Sequence, residues 1–557
     1  MSPPRQASVC PPRWEWLAVL FLLAGFLALD LASYNMYPAV WCDEVLYSEP
    51  AINLLRHGTY TTQTYELQPP NTFPIVNCPL YGLTLVPWLS VAGTSLLAVR
   101  SFNYTFMALA AFLLWLASWR FGLVRSALLR LGMLVVLHLG YGMSYCFRSG
   151  RPDILGMVCL LLLPLAINIP RLGLKRVLLP ALAALSIWIG LQVALYALFA
   201  YLCAWLVFGK TAPGLVKAGS DLPGARETRA DMTAFQGLIL LGVGFAVGAG
   251  SLLLFMYSKG VLRWFLPPIL GVMKGTFYGP AARHSVAGAF IAHLHRTLTS
   301  YCEDFSTVLL TPALLLLVTV WRPRLSLAVR KTVGYGLLLA FGAPALFEAV
   351  GHFAFYYSYL RYAPAVLVLF AAASDLSAAG GVGPPRGFAP VLAVTLVGAV
   401  AVGLPLRLGI SVACSHLMPR ATIQRTLAAQ LAPTDTAFSE YLPFFEVKQL
   451  APVVYHLYSS SVLCPTGLPG ADLSGEAKRA VSVLIIRPGQ KERLSVFFAG
   501  QWAPVTEPFG DTQDFNALVR LPLIGRRFAS YAFQPQTERY QVQVFRRVDD
   551  HGRAMAH

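Results

Sequence analysis

Apolar stretches of roughly 18–20 residues recur along this chain from Trp14 to Ile410, separated by short polar or basic turns. A helix needs about 20 apolar residues to cross the ~30 Å hydrocarbon core of a bilayer. The pattern predicts spans at 14–34, 100–119, 127–147, 154–170, 177–191, 192–208, 236–257, 303–321, 332–350, 361–377 and 389–410. Residues 80–97 are apolar enough to join them, but Pro87 and Trp88 suit a helix lying in the interface, and that placement puts every basic loop on one side. Past residue 410 the pattern changes. Val481–Ile486, Leu494–Phe498 and Tyr540–Phe545 alternate apolar with polar and predict strands, with a helical segment near Ile423–Leu431 before them. The expected fold class is a polytopic α-helical membrane protein of about 11 transmembrane helices plus interfacial helices, residues 1–410, followed by a small C-terminal α/β extracytoplasmic domain, residues 411–557.

Composition narrows the class. The 557 residues are 56% hydrophobic and 12% charged, against about 25% charged in ordinary soluble proteins. A formal charge of +17 would suit nucleic acid. Yet the cations gather in short loops, at Arg120, Arg125 and Arg130, at Arg171, Lys175 and Arg176, from Lys210 to Arg229, at Arg322, Arg324, Arg330 and Lys331, and at Arg386. That placement sets topology, so the expected partner is a bilayer and not nucleic acid. Arg5 and Arg13 precede the first span, which reads as an uncleaved helix with its N-terminus in the cytoplasm. The opposite face then carries a first loop, 35–99, a second, 258–302, and the tail. Cys42 and Cys78 share one of these pieces and Cys414 and Cys464 another; each pair is either a disulfide or two unrelated small apolar residues.

Two polar elements interrupt the pattern. Asp43-Glu44 stands in the run from Trp41 to Tyr47 just past the first span, and Arg148-Ser-Gly-Arg151-Pro-Asp153 stands between two later ones. Carboxylates at the mouth of a span are costly to desolvate and mark chemistry or transport. If both elements face the same side, they can build one site. Between them come Leu54-Leu55-Arg56-His57-Gly58-Thr59-Tyr60 and Asn77-Cys78-Pro79-Leu80-Tyr81, and near the last spans stands Tyr359-Leu-Arg361-Tyr362-Ala-Pro364. In this order and sidedness the chain, over residues 14–410, resembles the GT-C glycosyltransferases of the protein-mannosyltransferase and aminoarabinose-transferase type, glycosyltransferase family 39 and relatives.

The resemblance implies an inverting enzyme that moves a sugar from a polyprenyl-phosphate donor to a glycan, lipid or protein acceptor on the extracytoplasmic face, in a bacterial inner membrane. It makes Asp43 the general base, with Glu44 orienting Asp43 or the acceptor, Tyr47 in the same motif, and Asp153 shaping the acceptor or metal region. Asp43-Glu44 could otherwise cap the first helix, and Asp153 could be an N-cap. A lipid-phosphate leaving group needs cations, and arginine's planar fork suits phosphate. Arg361 leads the candidates, followed by Arg148 and Arg151, then Lys274, Arg283 and Arg296; His352 reads more simply as a packed interfacial residue. The Gly-, Pro- and aromatic-rich loop 258–302 is expected to close over the donor. No metal is expected, with a divalent metal as the alternative: His284, His293 and His295 form no HExxH, no CxxC pair occurs, and Asn77-Cys78 stands where the aminoarabinose transferases carry an acidic and a basic residue. A secondary transporter or lipid flippase is the competing reading, although repeated halves and broken midplane helices are not evident.

Overall fold

The computed structural model describes residues 11–63, 68–75, 79–169, 171–208, 232–273, 288, 291, 301–350, 355–378, 387–456, 473–514 and 539–548. Helix α1 (Arg13–Ala32) has 20 residues and a largely exposed apolar surface, as a lipid-facing span requires. Helix α2 (Cys42–His57) is polar, carries Asp43 and Glu44 in its first turn and ends on Gly58, whose φ of 71° gives the left-handed cap. Helix α3 (Pro79–Ala92) packs on α2. Its 14 residues reach only about 21 Å, too short to cross a bilayer.

The bundle continues with α4 (Leu96–Arg120), α5 (Ala127–Leu139), α6 (Tyr141–Arg148), α7 (Asp153–Ile167), α8 (Leu172–Ile189), α9 (Leu191–Phe208) and α10 (Ala234–Ser258). A further helix, α11, covers Leu262–Met273, and later helices cover Tyr301–Leu316, Leu327–Leu337, Ala343–Val350, Tyr359–Ala378, Phe388–Ala401 and Leu404–Cys414. Among the described residues eight helices are long and apolar enough to span, or nine if the bent pair α5–α6 is one span. The remaining expected spans fall on shorter or interrupted helices. Helix α7 has 15 residues, and π turns at Leu338–Gly342 split the stretch that begins with Arg330 and Lys331. The 62° bend between α5 and α6 falls at Gly140, where the Tyr362 ring fills the space a side chain would need and its hydroxyl donates to the Val136 carbonyl at 2.8 Å.

The tail forms a sheet of order β3-β2-β4-β8-β5, from β2 (Thr436–Ser439), β3 (Val453–His456), β4 (Val483–Ile486), β5 (Gln501–Pro504) and β8 (Gln541–Val548), with β6 (Phe509–Gly510) also pairing β8. Strands β2, β3 and β4 are parallel, and β8 runs antiparallel to β4. The expected strand at Leu494–Phe498 is a helix, Lys491–Phe497, in which Leu494 and Phe497, three residues apart and so on one face, pack on the core of the sheet. Short strands β1 (Ser415–His416) and β7 (Thr512–Gln513) close the entry to the tail.

One face of the sheet is covered by the helices Gly475–Ala480 and Lys491–Phe497, while Ala437, Val454, Val483 and Val544 on the other join a core that also includes Val45, Ile52 and Tyr81 of α2 and α3. The tail is therefore seated on α2. At that seam Arg539 donates to the Asn35 and Met36 carbonyls at 2.8 and 2.7 Å and pairs with Asp511 at 2.6 Å. Burial lowers its pKa to about 10 against the pull of Asp511. Lys448 lies 3.7 Å from Glu49 of α2 and donates to Gln63 at 2.8 Å.

Candidate active site

The segment between α6 and α7 is short and buried, and it carries Arg148, Arg151 and Asp153 to the start of α2. Asn103 of α4 fixes that turn by donating to the Ser149 and Arg151 carbonyls at 3.1 and 2.9 Å. The Arg151 guanidinium then bridges two acids from different elements. It pairs with Asp43 of α2 through Nη1 and donates from Nε to Asp153 at 2.7 Å. Tyr356 stacks 3.9 Å from the guanidinium, and the Trp41 and Tyr47 rings stand at 5.2 and 5.7 Å. Asp43 retains 23% side-chain exposure while Asp153 has none, so Asp43 is the carboxylate that can meet a substrate.

Glu44 does something else. It is fully buried and receives Arg100 of α4 in a two-pronged contact, 2.7 Å from Nε and 2.6 Å from Nη2, and the Gly150 amide at 2.9 Å. Arg100 also donates to the Pro38 carbonyl at 2.9 Å. Adjacent acids thus divide: Glu44 locks α2 and the Gly150 turn to α4, and that lock aims Asp43 at Arg151. The Arg148 guanidinium is directed away from this centre, to Asp30, to the Tyr37 carbonyl at 2.9 Å and to Ser33 at 2.8 Å. His138 approaches the same Asp30 at 3.1 Å, stacked on Phe26 at 4.1 Å.

Arg361 is buried in the first turn of the helix Tyr359–Ala378. That turn is anchored by the Tyr196 hydroxyl, which donates to the Leu360 carbonyl at 2.8 Å, and Tyr359 packs against Gly156 of α7, one turn beyond Asp153. From Tyr359 and Leu360 an apolar cleft of about 170 Å³ runs between α4, α7 and α9, past Met157 and Leu161 toward Ile167 and Phe121 at the opposite end of the bundle. Lys274, Arg283, Arg296 and His352, with His284, His293, His295, Asn77, Cys78 and Cys464, lie outside the described residues, as does most of the loop expected to close. Among the described residues no three His, Cys, Asp or Glu side chains converge as metal ligands.

Several residues escaped the sequence reading: Arg100, Asp30, Tyr356, and the Glu15–Arg130 pair at 2.6 Å with Trp115 donating to Glu15 at 2.8 Å. The signal was available for the charged ones, which stand inside or at the edge of predicted spans and so require partners.

No family model matches the sequence and no curated protein matches it. Among solved structures, ArnT from Cupriavidus metallidurans in its apo state is similar, with a TM-score of 0.51 and 14% identity over 88% of this chain and 96% of that one. An Archaeoglobus fulgidus oligosaccharyltransferase, tethered to an acceptor peptide containing an NVT sequon, aligns over 90% of this chain and 74% of its own at a TM-score of 0.42 and 10% identity. The ArnT likeness extends over the bundle and the tail together, and with it the chain is a multi-pass membrane protein of the GT-C fold.

Proposed function

We propose that the protein is an inverting glycosyltransferase that takes a sugar from a polyprenyl-phosphate donor and delivers it to an acceptor on the extracytoplasmic face, in a bacterial inner membrane. The observation that carries this reading is the pinning of Asp43 and Asp153 on one arginine, with Asp153 one helical turn before Met157 in the lining of an apolar cleft. The cleft offers an apolar chain a lining of leucines and aromatic rings, and Arg361 follows Leu360 of that lining in the first turn of its helix.

In this reading Asp43 accepts the acceptor's proton as the nucleophile attacks the anomeric carbon. The new bond forms to that carbon while its bond to the phosphate oxygen breaks, and the electron pair leaves with the lipid phosphate. Arg361 and Arg151 supply positive charge to that leaving group. Single displacement inverts the anomeric centre. Asp153 keeps Arg151 oriented while the donor is bound, and Glu44, through Arg100, keeps α2 in register. Arg148 belongs to the frame that joins α1 to α6.

The test is to incubate purified protein with radiolabelled polyprenyl-phosphate sugars and a membrane extract. Label passing from one donor to an acceptor, with the opposite anomeric configuration in the product, is the expected result. Donor binding without transfer to any acceptor would sink this reading and favour transport.

A further inference from the structure

The end of the bundle away from Asp43 holds a buried ion pair that the transfer chemistry does not use. Glu15 of α1 takes Arg130 of α5 in a two-pronged contact, 2.6 Å from both Nε and Nη2. The remaining guanidinium nitrogen of Arg130 donates to the Val124 and Arg125 carbonyls at 2.6 and 2.9 Å. The Arg125 amide donates to the Ser374 hydroxyl at 2.7 Å, and the Leu123 and Val124 amides donate to the Ser118 carbonyl at 3.0 and 3.3 Å. The turn 121–125 is thus pinned from α4, from α5 and from the helix Tyr359–Ala378. A buried pair is costly to desolvate, and here it fixes the shape of one surface turn.

That turn has an apolar side and a basic one. Phe121 and Leu123 are buried and line the cleft, together with Pro164 and Ile167 of α7 and Tyr201 and Ala204 of α9. Arg120 and Arg125, which flank them in the chain, are exposed, and so is Arg171, just past the end of α7. Among the described residues none of these three side chains has an acidic partner. The nearby acids are engaged: Glu15 holds Arg130, and Asp375 accepts from the Ser326 amide and hydroxyl at 2.7 and 3.0 Å.

We propose that this end of the cleft binds an anionic phospholipid, with one acyl chain between α4, α7 and α9 and the phosphate on Arg120, Arg125 and Arg171. The juxtaposition of an apolar lining with unpaired guanidinium forks fits an amphiphile whose head is a phosphodiester. Basic rims between membrane helices favour anionic headgroups over zwitterionic ones. The bound lipid is not the sugar donor. Arg100, which holds Glu44, and Arg120 stand near opposite ends of the 25-residue α4, about 30 Å apart along its axis, so a phosphate at Arg120 is out of reach of Asp43. The occupant comes from the leaflet at this end, and its chain closes the floor of the cleft. That a donor chain rests on this floor depends on the glycosyltransferase reading; binding itself does not.

Native mass spectrometry of the full chain, released from nanodiscs holding equal phosphatidylglycerol and phosphatidylcholine, tests the site. The wild type should retain one phosphatidylglycerol and discriminate against phosphatidylcholine at least tenfold. Retention should fall at least tenfold in the triple variant Arg120→Gln, Arg125→Gln, Arg171→Gln. It should fall as far in Ala204→Phe, which fills the cleft and leaves the arginines in place. The double variant Arg322→Gln, Arg324→Gln removes two exposed cations that do not adjoin the lining, and it should retain lipid as the wild type does. In phosphatidylcholine alone the triple variant should melt with the wild type, and added phosphatidylglycerol should raise the melting temperature of the wild type only. Equal retention of the two lipids, equal loss in the double and triple variants, undiminished retention in Ala204→Phe, or displacement by inorganic phosphate would overturn the assignment. So would preferential retention of farnesyl phosphate with the same dependence on the three arginines, which would give this end to the donor lipid. Transfer by a wild type that retains no phosphatidylglycerol removes this site alone, and retention without transfer from any donor removes the enzyme reading alone.

Discussion

Asp43 and Glu44 are neighbours in the chain with different work. Glu44 is fully buried against Arg100, and removing one member of a buried ion pair leaves the other charge uncompensated, at a cost of about 3–5 kcal/mol. Glu44→Gln should therefore lower the melting temperature markedly. Asp43→Asn should scarcely change it, because Arg151 keeps Asp153. Thermal unfolding of both variants checks this, and equal losses would contradict the division of roles. The sequence displayed Asp43, Arg151 and Asp153 because short motifs carry them. It concealed the partners of Arg100 and Asp30, which lie 56 and 118 residues away, since the spacing of residues along a helix says nothing about which helix will face it. Tyr356 was invisible for the same reason.

Among the elements, α8 and α10 approach backbone to backbone, and the cause is legible in composition. Gly244 and Gly248, four apart on α10, face the carbonyls of Pro180 and Ala184 on α8; a Cβ at Gly248 would stand 2.7 Å from the Ala184 oxygen. Small residues at this spacing let membrane helices approach backbone to backbone. Gly244→Leu should force the pair apart and lower both folded yield and melting temperature, while Gly242→Leu, facing open space, should leave them unchanged. A melt of the two variants that coincides would remove this contact from the account. The long apolar helices were readable from their length. The bend at Gly140 and the helix at Lys491–Phe497 were not, since tertiary packing decided them, by Tyr362 at the first and of Leu494 and Phe497 on the sheet at the second.

At the scale of the whole molecule, the tail is held on α2 partly by buried charge. Burial lowers the Lys448 pKa from its ordinary 10.5 to about 8, although Glu49 pulls it upward. Between those values the unfolded chain binds the proton that the folded one has lost, so this group makes stability rise with pH across that window. In Lys448→Met the rise is absent, and the melting-temperature difference, wild type minus variant, should climb from about pH 8 to about pH 10. A difference that stays flat would mean the lysine is not buried at this seam. The sequence announced a tail of different composition but not its seating on α2, because Gln63 and Glu49 meet Lys448 only through folding. Asp43 as the general base is tested most directly by steady-state transfer in Asp43→Asn, with donor binding measured in parallel. A general base contributes about 10²–10⁴-fold, so kcat should fall by that order while donor affinity stays within a few-fold of wild type. Transfer at the wild-type rate in Asp43→Asn would contradict the account.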